Sequence, residues 1–435
     1  MSSTSAQLRT ALAQRPALLM AISQTITWAG TFYLFPALLL RWEAAFGWHR
    51  AELTGAITVA ILMSAAFAPV AGHLIDAGRG ATLMGLATAA AGLAVACLPL
   101  VTSLTTFYLL WGLLGIALAG ALYEPCFALI TRARGIEAKK AITRVTLIAG
   151  FAGTVSFPVV HAISESLGWQ SATWVFAAAV VLVAAPLSWF GATALESEAR
   201  RARRTASTVL DVSGLPEPES AVPGAITRPD NSIVQPTSST PSRLSGLTLA
   251  DTLRATSFWH LALAFALLGL VHGVSLHHLM PLIIERGGGA DLAVMIASFI
   301  GPMQVAGRLL MLALERRSNN HIIALCSFVI LAMAILLLLL AGTRTSMLIA
   351  FVCLFGAGYG IVSIIRPVIA RDILGEKHFG KKSGVMAMLY LTASALGPWA
   401  GALLWNYSGY QSVLMVLMTL AVAGLALYVT ARRGA

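Results

Sequence analysis

Residues 196–251 read ESEARRARRTASTVLDVSGLPEPESAVPGAITRPDNSIVQPTSSTPSRLSGLTLAD, the one long polar stretch in a chain of 435 residues. It begins with a basic cluster, Arg200, Arg201, Arg203 and Arg204, and then continues through Pro, Ser, Thr and Gly. This composition has too little apolar surface to offset the entropy lost on ordering, so we expect a largely disordered linker. The blocks on either side, residues 1–195 and 252–435, are similar in length and rich in Leu, Ala, Val and Ile. The sequence therefore predicts two similar halves joined by the linker of residues 196–251.

The overall composition indicates that both halves lie in a lipid bilayer. Hydrophobic residues make up 58% of the chain, charged residues only 11%, and the mean hydropathy is +0.81, whereas a soluble protein carries about 25% charged residues. Because a membrane-spanning helix needs about 20 apolar residues, we predict an all-α membrane protein with twelve transmembrane helices in two pseudo-symmetric six-helix bundles. The predicted spans are residues 17–40, 52–72, 81–101, 105–130, 143–165, 170–192, 257–283, 291–313, 320–341, 345–370, 383–405 and 410–430.

The formal charge of +11 does not indicate a nucleic-acid partner, because the basic residues are distributed by topology. With a cytoplasmic N-terminus, the outer loops contain only Arg41, Arg50, Arg286 and Arg344, which is the bias of the positive-inside rule. We therefore expect a multi-pass protein of the bacterial inner membrane with both termini in the cytoplasm. The four cysteines lie in apolar spans without metal-ligand spacing, so we expect neither a metal nor a cofactor.

The loop after the second span carries the most informative motif, Gly72 to Gly80, which reads GHLIDAGRG. It resembles the G-x-L-x-D-R-x-G-R signature of the major facilitator superfamily, with Ala77 where Arg is usual. Six spans on each side of a central linker is also the layout of that superfamily. The resemblance implies that Gly72, Asp76 and Arg79 form a conformational gate, since an acid there can pair with the opposite half. The alternative is an ordinary polar turn between two helices.

Two titratable residues lie inside predicted spans, where such residues usually face a cavity or the protein interior. Glu124 follows Tyr123 near the end of the fourth span, and His272 lies near the middle of the seventh. We regard Glu124 as the first candidate for proton coupling and His272 as the second. The alternative for Glu124 is a structural ion pair with Arg132 or Arg144, and a hydrogen-bonded structural role is the alternative for His272.

Arg308 in the eighth span is the charge that most directly suggests a ligand. Gln304 precedes it by four residues and so lies on the same helical face, and a guanidinium at this depth suits a carboxylate. The alternative is an arginine that reaches the membrane interface. Arg366 lies about one turn from the cytoplasmic end of the tenth span, and we expect it to act as a gate residue.

The eighth and tenth spans resemble the monocarboxylate porter family. Gly301, Gln304 and Arg308 match its pattern G-x-x-[D/N]-x-x-x-R, with Gln in place of Asp or Asn. The tenth-helix pattern F-G-x-x-[F/Y]-G-x-x-S and the following D-x-x-G are matched by Phe355, Gly356, Tyr359, Gly360, Ser363, Asp372 and Gly375. The resemblance implies that Arg308 binds the substrate carboxylate, with Gln304, Tyr123 and Tyr33 also in the binding site. Ala37 replaces the lysine of the first-helix F-P-K pattern, so the proton-coupling residues of the animal members do not transfer.

We therefore predict a secondary transporter, not an enzyme, that moves a small organic anion such as a monocarboxylate by alternating access. Symport with protons is the expected coupling, and we expect a monomer. Two alternatives remain at this stage. One is an exporter of amphipathic drug-like compounds, although the fifth span lacks the glycine–proline pattern of drug:proton antiporters. The other is a non-transporting membrane sensor, although the sequence contains no folded cytoplasmic domain.

Overall fold

The computed structural model describes residues 2–135, 138–213, 249–314, 318–374 and 379–434. These residues form helices and no strand. The helices are α1 (Ser2–Gly30), α2 (Leu34–Phe46), α3 (Arg50–Asp76), α4 (Gly80–Cys97), α5 (Leu104–Ala121), α6 (Tyr123–Arg134), α7 (Ala138–Ala149), α8 (Ala152–Ala179), α9 (Ala185–Ser213), α10 (Leu249–Arg254), α11 (Thr256–Glu285), α12 (Ala290–Leu314), α13 (Asn320–Ala341), α14 (Thr345–Leu374) and α15 (Phe379–Gly434). A π-helical stretch, Val180–Ala184, connects α8 to α9.

Ten segments of the described residues are long and apolar enough to cross a membrane. Two of them, Lys140–Arg201 and Lys382–Arg433, each contain a sharp turn at one glycine. Gly168 has φ 83° and ψ 160°, and Gly409 has φ 72° and ψ 176°, a backbone region that is essentially restricted to glycine. Each of these two segments therefore crosses twice, and the prediction of twelve transmembrane helices is confirmed.

The two halves are related by internal pseudo-symmetry, which remains visible in the sequence. The turn between the fifth and sixth crossings of the N half (α1–α9) reads Gly-Trp-Gln-Ser from Gly168. The equivalent turn of the C half (α10–α15) reads Gly-Tyr-Gln-Ser from Gly409. We call the membrane face that carries these two turns the far end, and the face that carries both chain termini the terminal end.

Residues 196–213, which we expected to be part of the linker, instead continue helix α9. The cause is a set of contacts to the rest of the N half. The Glu196 carboxylate accepts a hydrogen bond from the backbone N–H of Ala81 at the start of α4, at 3.2 Å, and Glu198 forms an ion pair of 3.0 Å with Arg134. Of the other expected linker residues, 214–248 lie outside the described residues and 249–251 belong to helix α10, so the proposed boundaries of the two halves stay a prediction.

Three crossings of the N half are interrupted inside the membrane. The first is broken between α1 and α2, the fourth at Leu122 between α5 and α6, and the fifth between α7 and α8. Pro36 and Pro125 are each the third residue of the helix that resumes. A first-turn position tolerates proline because its missing N–H would have no partner within the helix. Among the described residues, the corresponding C-half helices α11 and α14 run without such a break.

The halves pack against each other through the far-end parts of their helices. Helix α3 packs on α15, α8 on α12, and α2 on α11. Thr58 donates to the carbonyl of Ala395 at 2.7 Å, and Thr154 donates to that of Ser298 at 2.9 Å. In α3 most buried residues lie between Arg50 and Ala60, none of residues 61–70 is buried, and Ala71 and Ile75 are buried near its terminal end. Apart from the contact of α7 with α12 at Thr146 and Arg308, the halves therefore diverge toward the terminal end and leave a cavity between them that opens there.

Candidate substrate-binding site

The broken helices of the N half place three of the predicted site residues on the cavity. Tyr33 lies in the gap between α1 and α2, and Tyr123 and Glu124 begin α6 directly after the break at Leu122. The rings of Tyr33 and Tyr123 both lie beside that of Trp28, at 6.4 and 5.0 Å, and Arg308 of the opposite half reaches the N half at the Thr146 carbonyl. The structure thus places the two tyrosines side by side on the N-half wall and brings Arg308 into contact with the same half.

Arg308 lies on α12, six residues before the helix ends at Leu314. Its Nη1 donates to the carbonyl oxygen of Thr146 in the N half at 2.6 Å, and its Nε donates to Ser363 Oγ at 3.4 Å. Both acceptors are neutral, and among the described residues no carboxylate forms an ion pair with Arg308. The guanidinium is half-buried, so part of it stays available to a ligand in the cavity.

Gln304 is buried one turn before Arg308, but no hydrogen bond joins the two side chains in the described part of the chain. Ser363 and Thr146 orient the arginine instead. The backbone of Gln304 lies against Gly360, where a Cβ atom would collide with the Gln304 carbonyl, and Gly356 approaches Met303 equally closely. The glycines of the tenth-helix motif therefore hold α12 and α14 together. Gly375, at the end of that motif, lies outside the described residues.

Arg366 lies deeper than we expected, eight residues before the end of α14 at Leu374. Its guanidinium carbon lies 3.7 Å above the ring of Tyr390, in a cation–π arrangement. The hydroxyl of Tyr390 shares a short hydrogen bond with that of Tyr359. The Nη1 atom of Arg366 is buried and has no hydrogen-bond partner among the described residues. The role of Arg366 as a gate residue stays a prediction, but its position puts it at the cavity.

His272 is buried in the C half and packs flat against Tyr359, with ring centroids 3.4 Å apart and planes 9° from parallel. Its Nδ1 has no hydrogen-bond partner among the described residues. The stacking supports the structural alternative for His272, and its role in proton coupling stays a prediction. No group of three His, Cys, Asp or Glu side chains that could hold a metal is found in the described ranges.

Glu124 lies ten residues inside the crossing that ends at Arg134, about 15 Å along a helix. Its side chain is nevertheless exposed, because it borders the open cavity. Among the described residues it has no ion pair with Arg132 or Arg144, the two partners of the structural alternative. Arg366 of the opposite half lies at a similar depth, eight residues from the end of its helix against ten for Glu124. It also lies in the first turn of α6, where the helix dipole favours an anion.

An aromatic cluster forms the N-half wall of the same cavity. The Trp28 ring lies 5.0 Å from that of Tyr123, Tyr123 stacks on Phe127 at 4.9 Å, and Tyr33 meets Phe157 at 6.1 Å. The indole Nε1 of Trp28 is buried without a hydrogen-bond partner in the described part of the chain. The cavity therefore combines a cationic C-half wall with an aromatic N-half wall, which suits an organic anion.

Comparison with known proteins agrees with this architecture. The family model described as Major Facilitator Superfamily matches residues 20–365 and 304–435. This chain belongs to the major facilitator superfamily. It is therefore a multi-pass membrane transporter, as the sequence predicted, whereas the resemblance to the monocarboxylate porters stays a prediction.

Solved structures that resemble this superfamily member include two of a bacterial homologue of the human lysosomal transporter Spinster. The one in an inward-facing and occupied conformation aligns with a TM-score of 0.63 and 13% identity, covering 96% of each chain. The inward-facing and unoccupied one aligns with a TM-score of 0.58 and 14% identity, covering 97% of each chain. At these identities the likeness establishes the fold alone. No curated protein sequence matches the chain.

The far end of this major facilitator protein is closed by a cluster that the sequence did not reveal. Arg50 is buried at the start of α3 and donates to Glu43 Oε2 from Nε and Nη2, at 3.0 and 2.9 Å. From Nη1 it donates to the hydroxyl of Tyr410 in the C half at 2.9 Å. Its guanidinium also lies 3.9 Å above the Trp405 ring and 3.9 Å from Glu285 Oε2, both in the C half. We call these five residues the far-end clamp.

Two further contacts support the far-end clamp. His278 Nε2 donates to the carbonyl of Pro398 at 2.8 Å, which leaves its Nδ1 to accept from the Tyr410 hydroxyl at 3.0 Å. Beside the clamp, His161 of the N half lies 2.9 Å from Asp291 of the C half. From the sequence, Arg50 was placed in an outer loop as a topology signal. The sequence offers only a weak indication of this role. Arg50 follows Gly47 by three residues and precedes the acid Glu52 by two.

In contrast to the far end, the terminal-end loop that contains Gly72, Asp76 and Arg79 makes no ion pair between the halves among the described residues. Asp76 and Arg79 are exposed, and within the described ranges neither forms an ion pair with the C half. Gly78 has φ +77° and allows the tight turn into α4. A gate that pairs only when the terminal end is closed would be unpaired in this conformation. The gate role of these three residues stays a prediction.

Proposed function

We propose that this transporter carries a small organic anion, in particular a monocarboxylate, by alternating access, and that Arg308 binds the carboxylate. The observation that supports this most directly is the charge balance at Arg308. A permanently charged guanidinium lies inside the membrane region and is held by two neutral acceptors, the Thr146 carbonyl and the Ser363 hydroxyl. An empty site of this kind is electrostatically unfavourable, and an anion relieves it.

The other residues of the cavity fit the rest of such a substrate. Tyr33 and Tyr123 can donate hydrogen bonds to a carboxylate from the opposite half, and Gln304 can contribute a neutral hydrogen bond. The aromatic wall of Trp28, Tyr123 and Phe127 suits a short carbon skeleton. A planar guanidinium prefers a carboxylate in a bidentate arrangement, which gives the site both its affinity and its orientation.

The proposed cycle uses the two ends of the molecule in turn. In the bacterial inner membrane, with both termini in the cytoplasm, the conformation described here opens inward and is closed outward by the far-end clamp. Rocking of the two halves would close the terminal end through Gly72, Asp76 and Arg79. Protons are the proposed coupling ion, with Glu124 as the first candidate to carry the proton and His272 as the second. We propose that the monomer is the transporting unit.

Export of amphipathic compounds is the second candidate function, and the aromatic wall is the observation that favours it. A large apolar substrate would gain most of its binding energy from Trp28, Tyr123 and Phe127 and would depend little on Arg308. Competition between the two substrate classes therefore separates the candidates.

The decisive experiment measures binding of a panel of small carboxylates to the purified protein by thermal shift, with uptake into proteoliposomes as the second readout. Arg308→Lys keeps the charge and loses the bidentate geometry, and Arg308→Ala loses both. Since each hydrogen bond to a charged group contributes about 1.5–3 kcal/mol, we expect Arg308→Ala to weaken binding on the order of 100-fold, with Arg308→Lys in between. Gln304→Ala should weaken binding less than either arginine variant.

The control variant is Arg344→Ala, because Arg344 is an exposed arginine of a far-end loop. It should bind the panel as wild type does. The amide of the best carboxylate should fail to bind even to the wild type. Wild-type carboxylate affinity in a folded Arg308→Ala protein would refute the proposed site. Strong competition by an uncharged amphipathic compound, unaffected by Arg308→Ala, would support the exporter instead.

A further inference from the structure

Three charged residues of the described part of the chain lie inside crossings: Glu124 is ten, Arg366 eight and Arg308 six residues from the terminal end of its segment or helix. All three border the same cavity. Two cations therefore face one anion, which gives the cavity a net charge of +1 when Glu124 is ionised.

The two arginines lie close to each other on the C-half wall. Arg308 donates to Ser363 Oγ, and Ser363 precedes Arg366 by three residues on α14. Residues three apart lie on the same face of a helix, with Cβ atoms about 5–6 Å apart. Gly307, Gly356 and Gly360 hold α12 against α14. The distance between the two arginines is therefore fixed by the packing of the two helix backbones.

The environments of the two arginines differ, because Arg308 donates two hydrogen bonds and Arg366 has a buried nitrogen without a partner among the described residues. Arg366 rests on the Tyr390 ring, with its Nη1 buried and unpartnered among the described residues. Among the described residues no ion pair joins Glu124 to either arginine. Glu124 lies ten residues and Arg366 eight residues from the terminal end, so the two lie at similar depths on opposite halves. Arg308 lies six residues from that end and already donates to Thr146 and Ser363. Arg366 is therefore the cation that Glu124 faces most directly.

We propose that Glu124 and Arg366, one from each half, form a charge pair across the cavity that sets the number of negative charges on the substrate at one. This inference rests on the proposed function, because it assumes that Arg308 binds the carboxylate. With Glu124 neutralising Arg366, one cation remains for the ligand, and a second carboxylate would meet Glu124. A monoanion therefore fits the cavity, and a dianion does not.

The test compares two four-carbon acids of different charge, butyrate and succinate, at neutral pH, where both are fully ionised. Wild type should bind butyrate more tightly than succinate. Glu124→Gln raises the cavity charge to +2 and should increase the succinate-to-butyrate affinity ratio on the order of tenfold. Arg366→Gln lowers it to zero and should weaken binding of both acids. The double variant returns to +1 and should recover the preference of the wild type.

A second measurement needs no ligand. If the pair exists, each single variant leaves one charge unpaired, either half-buried Arg366 or cavity-facing Glu124, and lowers the unfolding temperature. The double variant then recovers part of that loss. Arg344→Gln, an exposed arginine changed in the same way, should alter neither the ratio nor the unfolding temperature.

The outcomes separate this inference from the proposed function. An unchanged succinate-to-butyrate affinity ratio in Glu124→Gln would refute the charge pair whatever the substrate is. So would a loss of unfolding temperature in the double variant that equals the sum of the losses in the two single variants. If neither acid binds to wild type, the ligand-free cycle alone decides for or against the pair, and the proposed substrate class is wrong. If carboxylate binding survives in Arg308→Ala and the unfolding temperatures of the Glu124 and Arg366 variants are non-additive, Arg308 is not the carboxylate-binding residue, and the charge pair still holds.

Discussion

Replacing Arg50 by alanine removes the central residue of the far-end clamp. Arg50 makes three contacts across the halves, the hydrogen bond to Tyr410, the cation–π contact with Trp405 and the longer ion pair with Glu285. A hydrogen bond to a charged group contributes about 1.5–3 kcal/mol, a cation–π contact about 0.5–2 kcal/mol, and a partly exposed ion pair about 0–1 kcal/mol.

Together these contacts favour the closed far end by about 3 kcal/mol, so their loss should raise the open population on the order of 100-fold. The assay is the labelling rate of Ser298→Cys by a small membrane-impermeant thiol reagent, in a background without the native cysteines. Ser298 is buried at the far-end interface, and its hydroxyl bonds only within its own helix among the described residues. We expect slow labelling in the parent and much faster labelling with Arg50→Ala.

The matched control is Arg286→Ala. Arg286 also lies at the far end, but its hydrogen bonds, to the Leu338 carbonyl at 2.8 Å and to Gln411 at 3.1 Å, stay within the C half. Its loss should leave the labelling rate of Ser298→Cys unchanged. Equal labelling in the parent and in a folded Arg50→Ala protein would show that the far-end clamp does not set the conformational equilibrium.

Three further predictions concern the gate, the coupling and the fold. Asp76→Asn should favour the conformation that is open at the terminal end, and unchanged cysteine labelling on both faces would remove the gate role. Glu124→Gln should keep substrate exchange but lose pH-driven accumulation, since glutamine cannot take up a proton; normal accumulation in both Glu124→Gln and His272→Ala would point to an exchanger or uniporter. Gly409→Ala should destabilise the protein by about 1–3 kcal/mol in thermal or denaturant unfolding, because its backbone conformation strains any side chain. Gly384→Ala in the same helix has open space around it and should be neutral or slightly stabilising, so equal stability of the two variants would contradict the turn assignment.

The architecture was predictable because hydropathy and the distribution of charge report directly on the membrane. Span length, the polar stretch between the halves and the resemblance of the loop after the second span all led to the superfamily that was found. The continuation of α9 to Ser213 was not predicted, because it depends on Glu196 and Glu198 reaching other helices. Composition alone cannot show such contacts.

The membership of the candidate site stays a prediction, whereas its connections could not be predicted at all. The partner of Arg308 is the Thr146 carbonyl and not Gln304. A backbone acceptor in a distant helix leaves no pattern in the sequence. The broken crossings did leave a signal, because Pro36 and Pro125 each fall in a first helical turn. The far-end clamp joins residues up to 360 positions apart, which no local pattern can reveal.

The glycine packing between α12 and α14 has a mechanical consequence. Gly307, Gly356 and Gly360 bring the two backbones into contact, so α12 and α14 should resist sliding past each other. Arg308 and Arg366 should therefore move together as parts of one rigid body. The N-half side chains that face these arginines lie near the breaks before α2, α6 and α8, where the backbone can bend. The two pseudo-symmetric halves would thus differ in compliance. The C half would keep the distance between Arg308 and Arg366 constant through the transport cycle. The N half would change shape to bind and release the substrate.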